Sequence, residues 1–427
     1  MTDILPLIKI FVILAVIGWF IRLKLNIGVN LFLASIPLAF LFNFDARDWL
    51  QSAAEALSYM PTLTLAAVII SISVFCRIWK ATGRMDELVR SFAELVSSRR
   101  LSLMFFPSIV GLLPMPGGAF FSAPLVQAAA RKTSLTVDDQ ATINYWFRHV
   151  WEFVWPLYPA MLWFSETYKV PLVRIIPYSG VITLSAIIGG NVVLFRRLGS
   201  LADFSIHLKK LPAFLKTLSP LLILAFIAIT SATTLPLLHT LLPESIYSSQ
   251  NIPLMIGVVC ATLFLVIRNH LSLKTVNQHI RSADVPGLAA IVLGVMIFKE
   301  MLTDSGAATD IGAAFQAVHI PAPLFVVVFP LFLGALLSYT MSSLSIALPI
   351  VIASVGINPA DMQAILPYFI LVFASTFFGV MLTPLHACFA LTREYFQASW
   401  GGMLKRVAPA YLFPMTAAII MFVLMKQ

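Results

Sequence analysis

Gly111-Leu112-Leu113-Pro114-Met115-Pro116-Gly117-Gly118-Ala119 decides the fold. Two prolines and two adjacent glycines cannot continue a helix, yet they sit at the centre of an apolar stretch, 103–130. In hydrocarbon, non-helical backbone survives only where it is buried in protein or lines a wet cavity. A turn between two half-length apolar arms therefore reads as the tip of a hairpin near mid-membrane. Gly117 and Gly118 leave amide N–H groups uncovered where the second arm begins, and its positive dipole end can face an anion. The plainer alternative is a kink in an ordinary helix.

The rest of the chain supplies the membrane context. Of 427 residues, 59% are hydrophobic and 11% charged, and the mean hydropathy is +0.92. A soluble domain carries about 45–50% apolar and about 25% charged residues, so a soluble enzyme, a disordered chain and a nucleic-acid-binding module are excluded. The net charge of +9 does not indicate nucleic acid, because Lys and Arg lie in short connections between apolar runs. Cys76, Cys260 and Cys388 lie far apart in or beside apolar runs, with no CxxC, so neither a disulfide nor a metal site is expected.

A spanning helix needs about 20 mostly apolar residues. Long runs occur at 4–22, 26–43, 60–79, 172–195, 217–236, 252–267, 286–302 and 405–425. Two more, 142–165 and 366–391, are interrupted by proline. The first run has no basic leader and no small-residue cleavage site before Arg22, and is expected to stay in the membrane. Of the 28 Lys and Arg, 21 fall in one set of connections and 5 (Arg47, Lys169, Arg174, Lys299, Lys426) in the other, with Lys9 and Arg148 inside runs. By the positive-inside rule, that split holds only if 103–130 and 323–355 each enter and leave on one side. The expectation is an all-α membrane protein with ten spans, two re-entrant hairpins and both termini outside.

The chain also aligns with itself. Shifted by 223 residues, the stretch from Phe75 to Leu125 gives ten identities in 51 columns, among them Gly83 with Gly306, Phe106-Pro107 with Phe329-Pro330 and Gly111 with Gly334. Biased composition alone gives about four. At 228, Pro156-Leu157 falls on Pro384-Leu385 and Glu166 on Glu394. Residues 1–200 thus read as an N-terminal repeat with hairpin 103–130 and broken helix 142–165. Residues 217–427 read as a C-terminal repeat with hairpin 323–355 and broken helix 366–391. The segment 201–216 joins them as an interfacial connector. Five crossings per half make the repeat inverted, an arrangement of secondary transporters that places the site at the midplane.

The partner tip is Leu337-Ser338-Tyr339-Thr340-Met341-Ser342-Ser343-Leu344-Ser345. Its hydroxyls and freed carbonyls suit a small cation or a polar substrate, and close helix packing is the alternative. Span 142–165 holds Asn144, Arg148, His149 and Glu152 before Trp155-Pro156-Leu157-Tyr158-Pro159. Ionisable groups at membrane depth are costly and point to function. Arg148 and Glu152, four apart on one helical face, can pair. Alternatively, Glu152 carries a proton and Arg148 clamps a substrate carboxylate. In the matching span, His386 is either a relay or a neutral imidazole held by backbone. Lys299, Glu300, Asp304 and Asp310 read as a solvated rim.

Residues 111–124, from Gly111 through Pro124, and Thr383-Pro384-Leu385-His386-Ala387-Cys388 resemble an uncharacterised family of prokaryotic integral membrane proteins, a domain of unknown function placed in the ion transporter superfamily. Gluconate permeases, dicarboxylate/sodium symporters, citrate carriers and sodium/proton antiporters belong to that superfamily. The resemblance implies paired hairpins, paired broken helices, a homodimer and an elevator-type motion. Sodium symporters there carry Ser-Asn-Thr at both tips. Pro114–Gly118 has neither Asn nor hydroxyl, and Ser338–Ser345 has no Asn, which disfavours two-site sodium coupling.

These readings converge on a secondary transporter of a small organic anion in the cytoplasmic membrane, driven by protons or sodium. Its substrate site would be Pro116, Gly117, Gly118, Arg148, Thr340, Ser342, Ser343, Thr383 and His386. Its coupling-ion residues would be Glu152, Ser338 and Ser345. A cavity for four to seven heavy atoms facing Arg148 is expected for a short carboxylate. A cation/proton antiporter and a lipid-linked phosphate carrier are the alternatives. An intramembrane enzyme would need a nucleophile or metal pair at depth; no HExxH or GxSxG appears among the spans. No enzymatic activity and no cofactor are expected.

Overall fold

Nearly every apolar run becomes a helix, because backbone polar groups in hydrocarbon must be satisfied within their own segment. A computed structural model describes residues 4–114, 118–131, 133–196 and 205–426. The first part of the chain forms α1 (Leu5–Arg22), α2 (Ile27–Leu41), α3 (Ala46–Ser58), α4 (Met60–Ala81) and α5 (Arg84–Leu95). A two-residue strand, β1 (Val96–Ser97), leads into α6 (Arg99–Gly111), α7 (Gly118–Ala129), α8 (Val137–His149), α9 (Pro159–Thr167) and α10 (Leu172–Leu194). β2 (Ser205–Ile206) pairs antiparallel with β1. Then follow α11 (Leu211–Thr217), α12 (Ser219–Thr234), α13 (Glu244–Tyr247), α14 (Asn251–Arg268) and α15 (Leu273–Arg281). The remainder is α16 (Val285–Asp304), α17 (Ala307–Ala317), α18 (Ala322–Leu337), α19 (Thr340–Ser354), α20 (Met362–Leu382), α21 (Ala387–Phe396) and α22 (Trp400–Met425).

Among the described residues, eight helical segments are long and apolar enough to cross a membrane. Two of the ten expected spans fall short. α2 has 15 residues, about 22 Å at 1.5 Å per residue. The 142–165 run is divided into α8 and α9. Sequence reading also passes over α3, an amphipathic helix started by a capping box between Asp45 and Asp48. The segment after Ser205 is joined to the α5–α6 junction by the β1–β2 pair, and to α5 by a 3.0 Å Lys210–Glu94 contact.

The second hairpin breaks where the sequence breaks, whereas residues 115–117 of the first tip lie outside the described residues. The arms α6 and α7 have 13 and 12 residues, α18 and α19 have 16 and 15. Each is shorter than the roughly 30 Å of hydrocarbon it would have to cross. The turn of the second hairpin is Ser338, in the left-handed region at φ 54°, followed by extended Tyr339.

Helix starts recur through the chain. α5 begins at Arg84 and α17 at Ala307, α6 at Arg99 and α18 at Ala322, each 223 residues on. Gly83 and Gly306 precede α5 and α17 at φ 68° and 71°, a conformation that a side chain would strain. α9 begins at Pro159 and α21 at Ala387, α10 at Leu172 and α22 at Trp400, each 228 on. These are the two offsets at which the sequence aligns with itself.

The core lies around α20. An 18-residue stretch within 362–396 is 89% buried, against 11% for one within 219–238, whose Phe226 and Ile229 point outward as lipid contact requires. Glu166, at the end of α9, holds the start of α14. Its Oε2 accepts from the Gln250 and Asn251 amides at 2.8 and 3.0 Å and from Ser249 Oγ at 3.1 Å. These donors are ones a helix start leaves unpaired. Glu300 pairs with Lys299 at 2.7 Å, and Asp304 accepts from Ser52, so this rim ties α3 to α16.

Candidate functional site

The site is built on α8 and on the turn that ends it. Thr136 and Asp139 form a capping box at its start. From Ala141 to Val150 every residue is buried, so the polar ones need partners inside the protein. Asn144 Nδ2 donates to the Ala119 carbonyl at 3.0 Å and to Thr392 Oγ1 at 3.3 Å. Tyr145 donates to the Met381 carbonyl at 3.3 Å, at the open end of α20. Tyr158 donates to the Gly111 carbonyl at 2.6 Å, at the open end of α6. Both phenols satisfy carbonyls left over where a helix stops in mid-protein.

The first hairpin meets this segment at two glycines. A Cβ on Gly111 would stand 2.0 Å from the Arg148 carbonyl oxygen, and a Cβ on Gly118 would stand 2.1 Å from Arg148 Nη2. The guanidinium therefore lies against the first residue of α7. Pro116 and Gly117 lie outside the described residues.

The second hairpin meets it at Thr340. Thr340 Oγ1, on the first residue of α19, donates to Glu152 Oε1 at 2.6 Å, and Glu152 is only 8% exposed. The carboxylate thus faces the end of α19 where the dipole favours negative charge. The other hydroxyls of this tip look elsewhere. Ser343 donates across the hairpin to the Leu333 carbonyl at 3.1 Å, and Ser345 to the Ser342 carbonyl at 2.8 Å. Ser342 Oγ is buried with no hydrogen-bond partner among the described residues. Thr383 Oγ1 accepts from the Leu385 amide at 3.3 Å and closes its own turn. Ser338 contributes its carbonyl, 3.1 Å from His386 Nδ1.

Arg148 and Glu152 form no ion pair with each other among the described residues. The four-residue spacing required a continuous helix, but α8 ends at His149 and the turn carries Glu152 away. Each instead meets a different hairpin.

His149, absent from the expected site, and His386 stand Nε2 to Nε2 at 3.2 Å. His149 Nδ1 is 2.6 Å from the Tyr145 carbonyl oxygen. The ligand atoms of His149, His386 and Cys388 all lie within 4.8 Å of one another. No local motif gives this cluster away, since 237 residues separate the two histidines. The open space beside His149, lined by Trp146, Phe153 and Tyr411, offers about 10 Å³ to a water's centre, room for about one water. The expected cavity for a short carboxylate facing Arg148 does not match this space.

No curated protein matches the chain in sequence. In three dimensions it is similar to the YdaH transporter of Alcanivorax borkumensis, whose crystal structure is described as revealing an unusual topology. The TM-score is 0.56 at 13% identity, covering 89% of each chain. It is also similar to MtrF of Neisseria gonorrhoeae, described as illuminating a class of antimetabolite efflux pumps. That TM-score is 0.52 at 13% identity, covering 88% of this chain and 84% of that one. At this identity the likeness shows a shared fold, that of multi-pass helical membrane proteins. Residues 4–425 match the family described as protein of unknown function (DUF401), and across nearly its whole length the chain belongs to that family.

Proposed function

We propose that the protein is a secondary active transporter of a small organic anion, coupled to a proton or sodium gradient. In this reading it sits in the cytoplasmic membrane with both termini outside, works as a homodimer and alternates access by an elevator-type motion, as in the ion transporter superfamily. One observation carries it. Two helix-breaking tips, one from each half of the sequence, meet a single broken segment at its charged residues, Gly118 at Arg148 and Thr340 at Glu152.

The roles follow from chemistry. A guanidinium against the Gly118 end of α7 offers a carboxylate both charge and a backbone donor. A carboxylate that is buried beside a hydroxyl can exchange its proton when access changes. In this role the two tips part to admit a substrate and close over it. The shared fold with two transporters supports this reading at the level of transport alone.

Uptake into proteoliposomes under imposed pH or sodium gradients tests it. Wild-type uptake is expected to follow one of the gradients. Glu152→Gln is expected to abolish gradient-driven accumulation while leaving downhill exchange. Uptake indifferent to both gradients would end the coupling claim. A cation/proton antiporter is the second reading, favoured by the separation of Glu152 from Arg148. A carboxylate not neutralised by its neighbour can trade a proton for a cation. A pH pulse on sodium-loaded liposomes separates the two, since only the antiporter moves sodium without an anion.

A further inference from the structure

The contact between the two histidines poses a chemical problem. A carbonyl oxygen only accepts hydrogen bonds, so the Tyr145 and Ser338 carbonyls fix the proton of each ring on Nδ1. Each neutral ring then presents a bare Nε2, and the two are 3.2 Å apart, lone pair toward lone pair. A positive centre between them resolves the repulsion. Metal-bound imidazoles are held in this way, with the outer N–H on a backbone carbonyl and the inner nitrogen on the ion. At metal–nitrogen lengths of about 2.0–2.1 Å, two imidazoles on one tetrahedral or trigonal ion stand about 3.3–3.6 Å apart. A shared proton would satisfy the two nitrogens but gives no part to Cys388, whose Sγ completes the cluster within 4.8 Å and is buried.

We propose that His149, His386 and Cys388 bind a thiophilic d10 metal ion, and that the ion is Cu+. Thiolate and imidazole donors select Cu+ and Zn2+ over harder cations. Charge decides between those two. With both imidazoles neutral, the three ligands together carry one negative charge, that of the thiolate. Cu+ leaves the buried cluster neutral, whereas Zn2+ leaves a net positive charge out of water, which is costly. Binding displaces the Cys388 thiol proton to solvent, and no electron moves. The ion would join the end of α8 to the start of α21, fixing one broken helix against the other.

The test uses the full-length protein purified in detergent. Cu+ is titrated under reductant against a chromophoric chelator, Zn2+ separately, with wild type, Cys388→Ser and His386→Gln. The expected result is one Cu+ per chain, held more tightly than Zn2+, with affinity falling about tenfold or more in each variant. X-ray absorption of the wild-type complex should show one sulfur and two nitrogen neighbours, a readout that stands even where a variant fails to fold. Absence of binding, binding undiminished in a folded Cys388→Ser protein, tighter Zn2+ than Cu+, or a copper without sulfur would each overturn the proposal. None of these measurements involves uptake, so they leave the transport reading to its own experiment.

Discussion

Gly111 and Gly118 both face Arg148, but they face different parts of it, and the two positions should fail differently. A methyl on Gly111 meets the Arg148 carbonyl oxygen at 2.0 Å and its carbonyl carbon at 2.9 Å. Backbone at both ends of the contact cannot yield, so Gly111→Ala is expected to cost about 1–3 kcal/mol of stability. Gly334 stands against the Thr376 carbonyl in the same way at 1.9 Å. A methyl on Gly118 meets the tip of the Arg148 side chain, which can swing away. Gly118→Ala is therefore expected to keep wild-type thermal unfolding within a degree or two but to lower uptake by about tenfold, the charge having left its place. Unfolding curves and uptake rates on the two variants check this. The prediction fails if Gly118→Ala transports normally or if Gly111→Ala melts like wild type. At this scale the sequence is only partly legible. Intramembrane Arg148 and Glu152 stand out because burying charge is expensive, and Pro114 to Gly118 because it breaks a helix. His386 stands out as the titratable group of its span, but its meeting with His149 does not, since nothing local to either reports a neighbour more than two hundred residues away.

Among the elements, the junction of α8 with α22 joins early and late sequence through two adjacent carboxylates. Asp138 accepts from the Ser399 amide at 2.8 Å, at the cap of α22. Asp139 accepts from Arg406 Nε at 2.5 Å and from Thr136 at 2.7–2.9 Å. Asp139 precedes the expected 142–165 span. Burial raises the pKa of its carboxyl, but the bonds from Thr136 and Arg406 outweigh that and hold it below the ordinary 3.8. A carboxyl depressed by folding adds stability that is complete above 3.8 and fades as pH falls through its native value. Below about pH 3.8 the α8–α22 junction is expected to weaken. Asp139→Asn is expected to lose about 1–3 kcal/mol at neutral pH, as charged hydrogen bonds do, and to show a shallower acid decline. Thermal unfolding in detergent between pH 7 and 3 reads both; parallel pH profiles for variant and wild type would refute the assignment. This capping box, Thr136 to Asp139, was open to sequence reading, whereas its partner Arg406 was visible only as one of many basic residues in connecting segments. The break in 142–165 was likewise visible from Pro156 and Pro159, but its consequence was not. Helical spacing placed Arg148 and Glu152 together, and the end of α8 at His149 set them apart.

For the molecule as a whole, the contacts divide the helices into two packed groups. The hairpins α6–α7 and α18–α19 pack with α8, α20 and α21, and α22 packs on α8 and α20, while α2, α3, α4, α12, α14 and α16 pack mainly with one another. The proposed elevator motion assigns the first group to the moving part, because it holds Arg148, Glu152 and both tips. α1, which packs on α2 and also touches α17 and α18, is assigned to the stationary part through α2. Its Gly18 lies against α18, an ideal Cβ standing 3.7 Å from Leu336 Cδ1, so this pair straddles the expected sliding surface. Cysteines at Gly18 and Leu336, joined by a short reducible cross-linker, are expected to stop uptake, and reduction should restore it. Ser91 and Thr217, whose hydroxyls are 2.9 Å apart between α5 and α11, supply a pair that does not join the two groups, and linking them should leave uptake within about twofold of the unlinked protein. The native cysteines interfere little, Cys76 and Cys388 being buried and Cys260 half-buried. Full uptake by the Gly18–Leu336 linked protein would mean that α18 does not slide past α1. The access change would then have to be sought in the tips alone, as local opening of α7 or α19 against a fixed body.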